Sequence, residues 1–578
     1  MKAISTLVLA LILTPFSVSH AQDDHFSCGL TEKLHHLYQE YPELEHEQEE
    51  FLARCRTSSL SSGDRDDIYV IPVVFHVIHE NGVENISDSQ IYDQIDILNL
   101  DFRKLNPDAS DIVPEFVDIA ADSKIEFRLA NKDPMGNCTN GIEHIYSHET
   151  FNGDDFSKLN QWPRSRYLNV WVVASMSPGV AGYAYYPSAV STGLYYADGI
   201  IIRHEYIGSI GTSSPFNARA LTHEIGHWLG LPHTWGSTNS PGVSCGDDGI
   251  EDTPVTEGHT TCELVGNDDC NPGIIENVQN FMEYSYCSLM YTEDQADVMD
   301  NTLNNSVSSR NHLVTDQNHG DTGIDGPVEL CSPLPDFFVD DEVICAGNGA
   351  QYFASVSRAE ADSYSWSFPG GSPSTSTEMN PVVTYEEDGL FPCTLTVTNS
   401  AGTETIIKEN FIRVMANYWF HVGPHSEDFE SINITPTEDW IVLNPEDNDT
   451  KWEITDKAAY SGEKSIGVFH YKSDPHPILE PHYYDRLGGL SDVIITPSYN
   501  LSNTSEAFIS FRFAHATMSS GLFDGSQLEL KVSYRANCDP DWNTLGTIDG
   551  LDLLTAGYQG SSFLPGPTDD LWKMENFN

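Results

Sequence analysis

A chain of 578 residues is too long for one ordinary core and, at about 150 residues per domain, implies three or four units, each able to bury a core of its own. Its 28 basic against 87 acidic residues leave a net charge of −59, which argues against a nucleic-acid partner. So many carboxylates either keep the surface soluble in a salty exterior or, in part, bind calcium.

Lys2 is followed by the apolar run Ile4–Leu13 and then by Ser19-His20-Ala21, the small-x-small form of a secretory cleavage site, so residues 1–21 read as a signal peptide. The mature chain then begins near Gln22. No later stretch approaches the roughly 18 apolar residues of a membrane-spanning helix. Eleven cysteines in an exported chain imply disulfides, and their odd number leaves at least one thiol unpaired or paired elsewhere.

Residues 22–65 are polar, with a helix-like stretch from Glu32 to Phe51 and then Ser58-Ser59-Leu60-Ser61-Ser62-Gly63, which has the composition of an exposed, cleavable linker. They read as a propeptide. An α/β domain opens at Ile68, where the apolar run to Val77 suits a strand buried on both faces. Ser87 and Gln90 have capping-box spacing, and Ile91, Ile95, Leu98 and Phe102 share one face of a helix of about four turns. Further strands are expected at Lys124–Ala130, Tyr167–Val173 and Gly199–Arg203, and a second helix from about Asn217 to Leu229. The fold expected over residues 66–330 is a twisted mixed sheet with two long helices.

That second helix carries Leu221-Thr222-His223-Glu224-Ile225-Gly226-His227-Trp228-Leu229-Gly230-Leu231-Pro232-His233. His223 and His227, four residues apart, project from one helical face and can reach a single ion. Gly230 allows a sharp turn at positive φ, which brings His233 back as a third ligand. Three neutral imidazoles with one open position suit zinc, which lowers the pKa of a bound water from 15.7 towards about 7. Glu224 lies beside the ion as a general base rather than a ligand. A bare H-E-x-x-H arises by chance, but the full eleven-residue pattern with its glycine turn is far more specific. Lone histidines such as His76 and His204 read as structural.

The full pattern is the metzincin signature, and the blocks after it resemble the pappalysin or cytophagalysin family: His233-Thr234-Trp235-Gly236, then Cys245 with Asp248-Gly249-Ile250-Glu251-Asp252-Thr253-Pro254, then Asn280-Phe281-Met282-Glu283-Tyr284. The resemblance implies a secreted zinc metalloendopeptidase acting on protein or peptide substrates. It makes Met282 the Met-turn residue beneath the metal and Tyr284 a stabiliser of the transition state. It also implies the pairs Cys245–Cys270 and Cys262–Cys287, although sequence alone allows three connectivities. Structural calcium near Asp248 and the Thr253 carbonyl is implied in the same way; Asp and Thr in such a loop also serve as turn residues. Members that cut beside basic residues have a longer segment after the Met-turn, with an acid before its cysteine. Here Tyr286 stands in that place, so a preference for Arg or Lys does not carry over.

Cys28-Gly29-Leu30 resembles a cysteine switch, because a thiolate is a strong zinc ligand that would fill the open position and exclude water. A disulfide, for instance with Cys55, is the competing reading. Release would follow cleavage within Arg54–Asp67.

From 334 to 415 the sequence turns to short strands with Gly and Pro turns, the rhythm of a β-sandwich. Trp366-Ser367-Phe368-Pro369-Gly370-Gly371, Asn380-Pro381 and Asn399-Ser400-Ala401-Gly402 resemble a PKD domain, a binding or spacer module. Residues 416–578 continue in strand grammar, with alternation at Ile509, Phe511, Phe513 and at Leu528, Leu530, Val532, Tyr534, and read as a second, jelly-roll-like all-β unit. A surface or polymer ligand suits these modules. Leu571–Asn578 offers no further strands to close a sandwich, which reads as a truncated end. The rival class is a secreted binding protein whose metal domain has become structural; it predicts a lost base or a blocked fourth position, and Glu224 is present.

Overall fold

The computed structural model describes residues 27–57, 68–191, 194–236, 240–264, 266–415, 421–432, 440–443, 451–468, 492–516, 529–536, 542–557, 563–567 and 569–578. The expected signal peptide and the Ser58–Gly63 linker lie outside them. Among the described residues no helix is long and apolar enough to cross a membrane.

Two helices, α1 (Leu30–Glu40) and α2 (Pro42–Thr57), precede the first strand. That strand, β1 (Tyr69–His79), is buried from Ile71 onward, as its continuous apolar run requires. It is followed by α3 (Asp88–Phe102), β2 (Ile125–Leu129), β3 (Ile142–Tyr146), β4 (Leu168–Val173), β5 (Gly182–Ala184) and β6 (Ile200–Arg203). The strands form one sheet in the order β2-β1-β4-β6-β5, with β3 also paired to β1. All the pairings are parallel except β5 with β6, so the sheet is mixed and ends in an antiparallel edge strand.

Helix α3 presents Ile91, Leu98 and Phe102 to this sheet, all fully buried. Its expected capping box does not form: Ser87 is the N-cap but makes no side-chain cap bond. Gln90 is drawn off instead, its amide donating to the carbonyls of His204 and Ile207. The expectation of two long helices also needs correction. The motif helix α4 (Ala220–Trp228) has nine residues against fifteen in α3, because residues before Ala220 turn rather than coil. An unanticipated helix, α5 (Glu293–Leu303), follows, started by a reciprocal capping box between Thr292 and Gln295. Beyond it lie the short helices Arg310–Leu313 and Asp316–Thr322.

Residues 334–415 form two facing antiparallel-rich sheets of five and four strands. Their shared core holds Phe337, Tyr352, Trp366, Phe368, Tyr385 and Leu395. This sandwich meets the first domain at a disulfide, Cys138–Cys331, and through the rings of Tyr146 and Phe338, stacked 4.4 Å apart. Farther on, the described residues pair as two-stranded ladders and do not show a closed jelly roll. The last stretch, Leu571–Asn578, contains the strand Lys573–Phe577, antiparallel to Ile509–Phe513.

Candidate metal centre

Helix α4 is fixed along its whole length. At its start, the Arg219 guanidinium donates to both carboxylate oxygens of Asp108 at 2.7 Å and to the Ser288 carbonyl at 2.8 Å. Thr222 Oγ1 donates to the buried Asp101, while the Thr222 carbonyl accepts from Tyr291. At its end, Trp228 Nε1 donates to Asp198, a buried carboxylate that also takes two bonds from Arg310 at 2.7 and 2.8 Å. The Arg310 guanidinium lies 4.0 Å over the Trp228 ring. Burial pushes the Asp198 carboxyl up, yet the guanidinium outweighs it and holds the group below its usual range. Gly230 then turns the chain at φ 101°, a conformation that penalises a Cβ.

The turn brings three imidazoles together. His227 Nε2 lies 3.0 Å from His223 Nε2 and 3.1 Å from His233 Nε2. The Nδ1–H groups of His223 and His227 donate to the Phe281 and Leu231 carbonyls, each at 2.7 Å, so in the neutral rings it is Nε2 that carries the lone pair. Burial pushes His223 down to about 4 and His227 and His233 well below the ordinary value, which keeps the rings neutral. Neutral lone pairs pointed at one another at these distances repel unless a cation lies among them. The donor set therefore fits a metal, and three imidazoles suit zinc.

Cys28 completes the group: its Sγ and the three ring nitrogens all lie within 4.8 Å of one another. The thiol is free and buried, not joined in the alternative disulfide. Segment 27–29 lies along the edge strand β5 in parallel, with Gly29 N donating to the Gly182 carbonyl and Ala181 N to the Ser27 carbonyl, both at 2.8 Å. Cys28 Sγ is 3.4 Å from Glu224 Oε2, and Tyr284 donates to the Cys28 carbonyl at 3.3 Å. Burial pushes Glu224 up to about 8, and its Oε1 has no hydrogen-bond partner. Met282 lies under the site, fully buried, against Gly226 of α4.

The segment between α4 and the Met-turn carries the disulfides Cys245–Cys270 and Cys262–Cys287. In its loop, Asp248 Oδ1 accepts from Thr253 Oγ1 at 2.6 Å and Ile250 N at 2.9 Å, while the buried Oδ2 has no partner. Burial pushes that carboxyl well above its usual range. Tyr286 is exposed, its ring edge-on to the exposed Phe216. Of the histidines read as structural, His76 is bonded at both nitrogens, to Glu143 and Asn169, and His204 bonds Thr212.

Sequence reasoning passed over Gly226, the Asp198–Arg310 pair, and Glu283, which accepts from Thr234 Oγ1 and from His259 N. Only Gly226 gave any signal, as a helix-interior glycine, a residue that needs a packing reason.

Residues 152–304 match the family described as pregnancy-associated plasma protein-A, and residues 331–414 match the PKD domain. An extracellular metalloprotease of Arthroderma gypseum is 28% identical over 250 residues, covering 42% of this chain and 74% of its own length. One of Pyricularia oryzae is 27% identical over 288 residues, covering 49% and 89%. Among solved structures, mature mirolysin of Tannerella forsythia in complex with a cleaved peptide is 34% identical, covering 45% of this chain and all of its own, with a TM-score of 0.42. Residues 152–304, which hold the histidine cluster, thus belong to the pappalysin family of metalloendopeptidases, and a PKD domain follows them.

Proposed function

We propose that this chain is a secreted zinc endopeptidase made as a latent precursor, in which residues 22–65 are a prosegment and Cys28 blocks the metal. The observation that carries this is the convergence of His223, His227 and His233 through nitrogens whose opposite ring atoms, in two of the three, are fixed by backbone carbonyls. A zinc ion held by these three rings would supply Lewis acidity towards a water and the scissile carbonyl. Glu224 takes the proton from the attacking water and passes it to the leaving amine; its buried, unpartnered Oε1 suits a group meant to exchange protons. Tyr284, freed from the Cys28 carbonyl, donates its hydroxyl hydrogen to the oxygen on which charge develops. While Cys28 is seated, its thiol and carbonyl occupy both Glu224 and Tyr284.

Calcium at Asp248 is supported by its unpartnered Oδ2, since a buried carboxylate without a partner calls for a cation. Tyr286 in place of an acid leaves basic-residue specificity outside this reading. The β modules suit a surface or polymer ligand.

The test is cleavage of an unfolded protein by the processed enzyme and by Glu224→Ala, each with and without a zinc chelator, with products read by mass spectrometry. Cutting by the parent alone, abolished by chelation, is the expected result. A zinc-loaded parent that cuts nothing would overturn the proposal in favour of a binding protein or another hydrolase.

A further inference from the structure

The segment before β1 is held at two separate places. Around Cys28, helix α1 buries Leu30, Leu34 and Leu37, spaced i, i+4, i+7, and these join Leu44 in an apolar cluster with Tyr183, Tyr186, Ala189, Val190 and Trp235 beside the zinc ligands. Helix α2 reaches elsewhere. Its Phe51 and Leu52 belong to the principal core of the catalytic domain, with Trp228, Leu229, Met299 and Leu303.

The seat of α2 is built around the turn that returns His233. A Cβ on Gly230 would lie 3.0 Å from Phe51 Cε1 and 3.4 Å from Thr302 Oγ1, so the bare glycine leaves the space the ring uses. Gln48, buried on the same helical face as Leu44, Phe51 and Leu52, donates to the Gly230 carbonyl at 3.3 Å and accepts from Ser188 Oγ at 2.5 Å. The exposed face of α2 carries Glu43, Glu45, Glu47, Glu49 and Glu50, so the contact is apolar and hydrogen-bonded rather than charged.

We infer that the catalytic domain has a second prosegment-binding site, formed by the Gly230 turn, Ser188 and helix α5, which keeps the cut prosegment bound. Cleavage in the linker alone leaves residues 27–57 in place, held by Phe51, Leu52 and Gln48 independently of Cys28. Release then requires a further cut within the prosegment. This rests on the prosegment reading above.

The test replaces Ser58–Gly63 of the full chain with a recognition sequence for a site-specific protease, cuts the folded protein there, and follows the released fragment by size exclusion and mass spectrometry. The fragment is expected to coelute with the catalytic domain, in Cys28→Ala as in the parent and at high as at low salt. Phe51→Ala should release it at least about tenfold faster, the order expected for truncating a buried ring. Separation of the parental fragment on cutting, or unchanged retention in Phe51→Ala, would overturn the site. Should Phe51→Ala fail to fold, Gln48→Ala decides, with faster release supporting the site and unchanged release overturning it. Activity is assayed alongside: a retained fragment over an active enzyme keeps the second site and removes the Cys28 switch.

Discussion

Met282 Sδ presses on the backbone of Gly226, so closely that a Cβ there would come within 2.4 Å of the sulfur. The methionine floor and the motif helix are thereby locked in register one residue before His227. Gly226→Ala should force them apart, costing about 1–3 kcal/mol as overpacking does. Thermal unfolding and zinc content of the purified precursor check this, and Gly226→Ala with Met282→Ala should recover part of the loss. An undiminished melting temperature in Gly226→Ala would mean the contact is slack.

Removing the Cys28 thiol should give an enzyme that needs no processing. Cys28→Ala precursor, verified as uncut by mass spectrometry, is expected to hydrolyse a short fluorogenic peptide, although more slowly than mature enzyme because α1 still packs beside Trp235 and Tyr284. Complete latency of this variant would show that steric cover, not the thiol, silences the site.

His79 gives the first domain a pH-sensitive stability. Burial, reinforced by the nearby His144, pushes it down to about 3 from 6.5, and its Nε2 has no partner. Between those two values the unfolded chain binds a proton that the folded state refuses, so stability present above pH 6.5 is lost as pH falls towards 3. Urea unfolding of the parent and His79→Phe across this range should show a shallower acid slope in the variant. Parallel slopes would assign the loss to other groups.

Arg310 and Asp198 form a buried pair whose one-sided removal should be severe. Arg310→Met removes two charged bonds from the Asp198 carboxylate beneath Trp228, leaving the more distant Arg164 at 3.5 Å, and should cost up to about 3–5 kcal/mol. Denaturant titration measures it. The double variant Arg310→Met with Asp198→Leu should be milder than Arg310→Met alone, and equal losses would argue that the pair contributes only volume.

The histidine cluster was legible in the sequence because its geometry is local: a helix places His223 and His227 on one face, and one glycine turn returns His233. The buried strands were legible for a similar reason, since β1, β2, β4 and β6 announce themselves by apolar runs or alternation. Strands β3 and β5 were missed. β5 has only three residues, and it becomes a strand by pairing with β6 rather than through any pattern of its own. Gln90 has capping-box spacing, yet its amide found better partners in a loop that folds against it more than a hundred residues later. The Met282 contact with Gly226, the Asp198 pair and the seat of Phe51 are likewise products of tertiary packing, for which sequence spacing carries no code.

The Cys138–Cys331 bond and the Tyr146–Phe338 stack close the junction between the catalytic domain and the sandwich behind it. A module tied at two points cannot swing as a bead on a string would. A ligand bound by the sandwich would therefore be offered to the histidine cluster from one side and at one span, and free fragments lacking that anchor would gain nothing from the local concentration it creates.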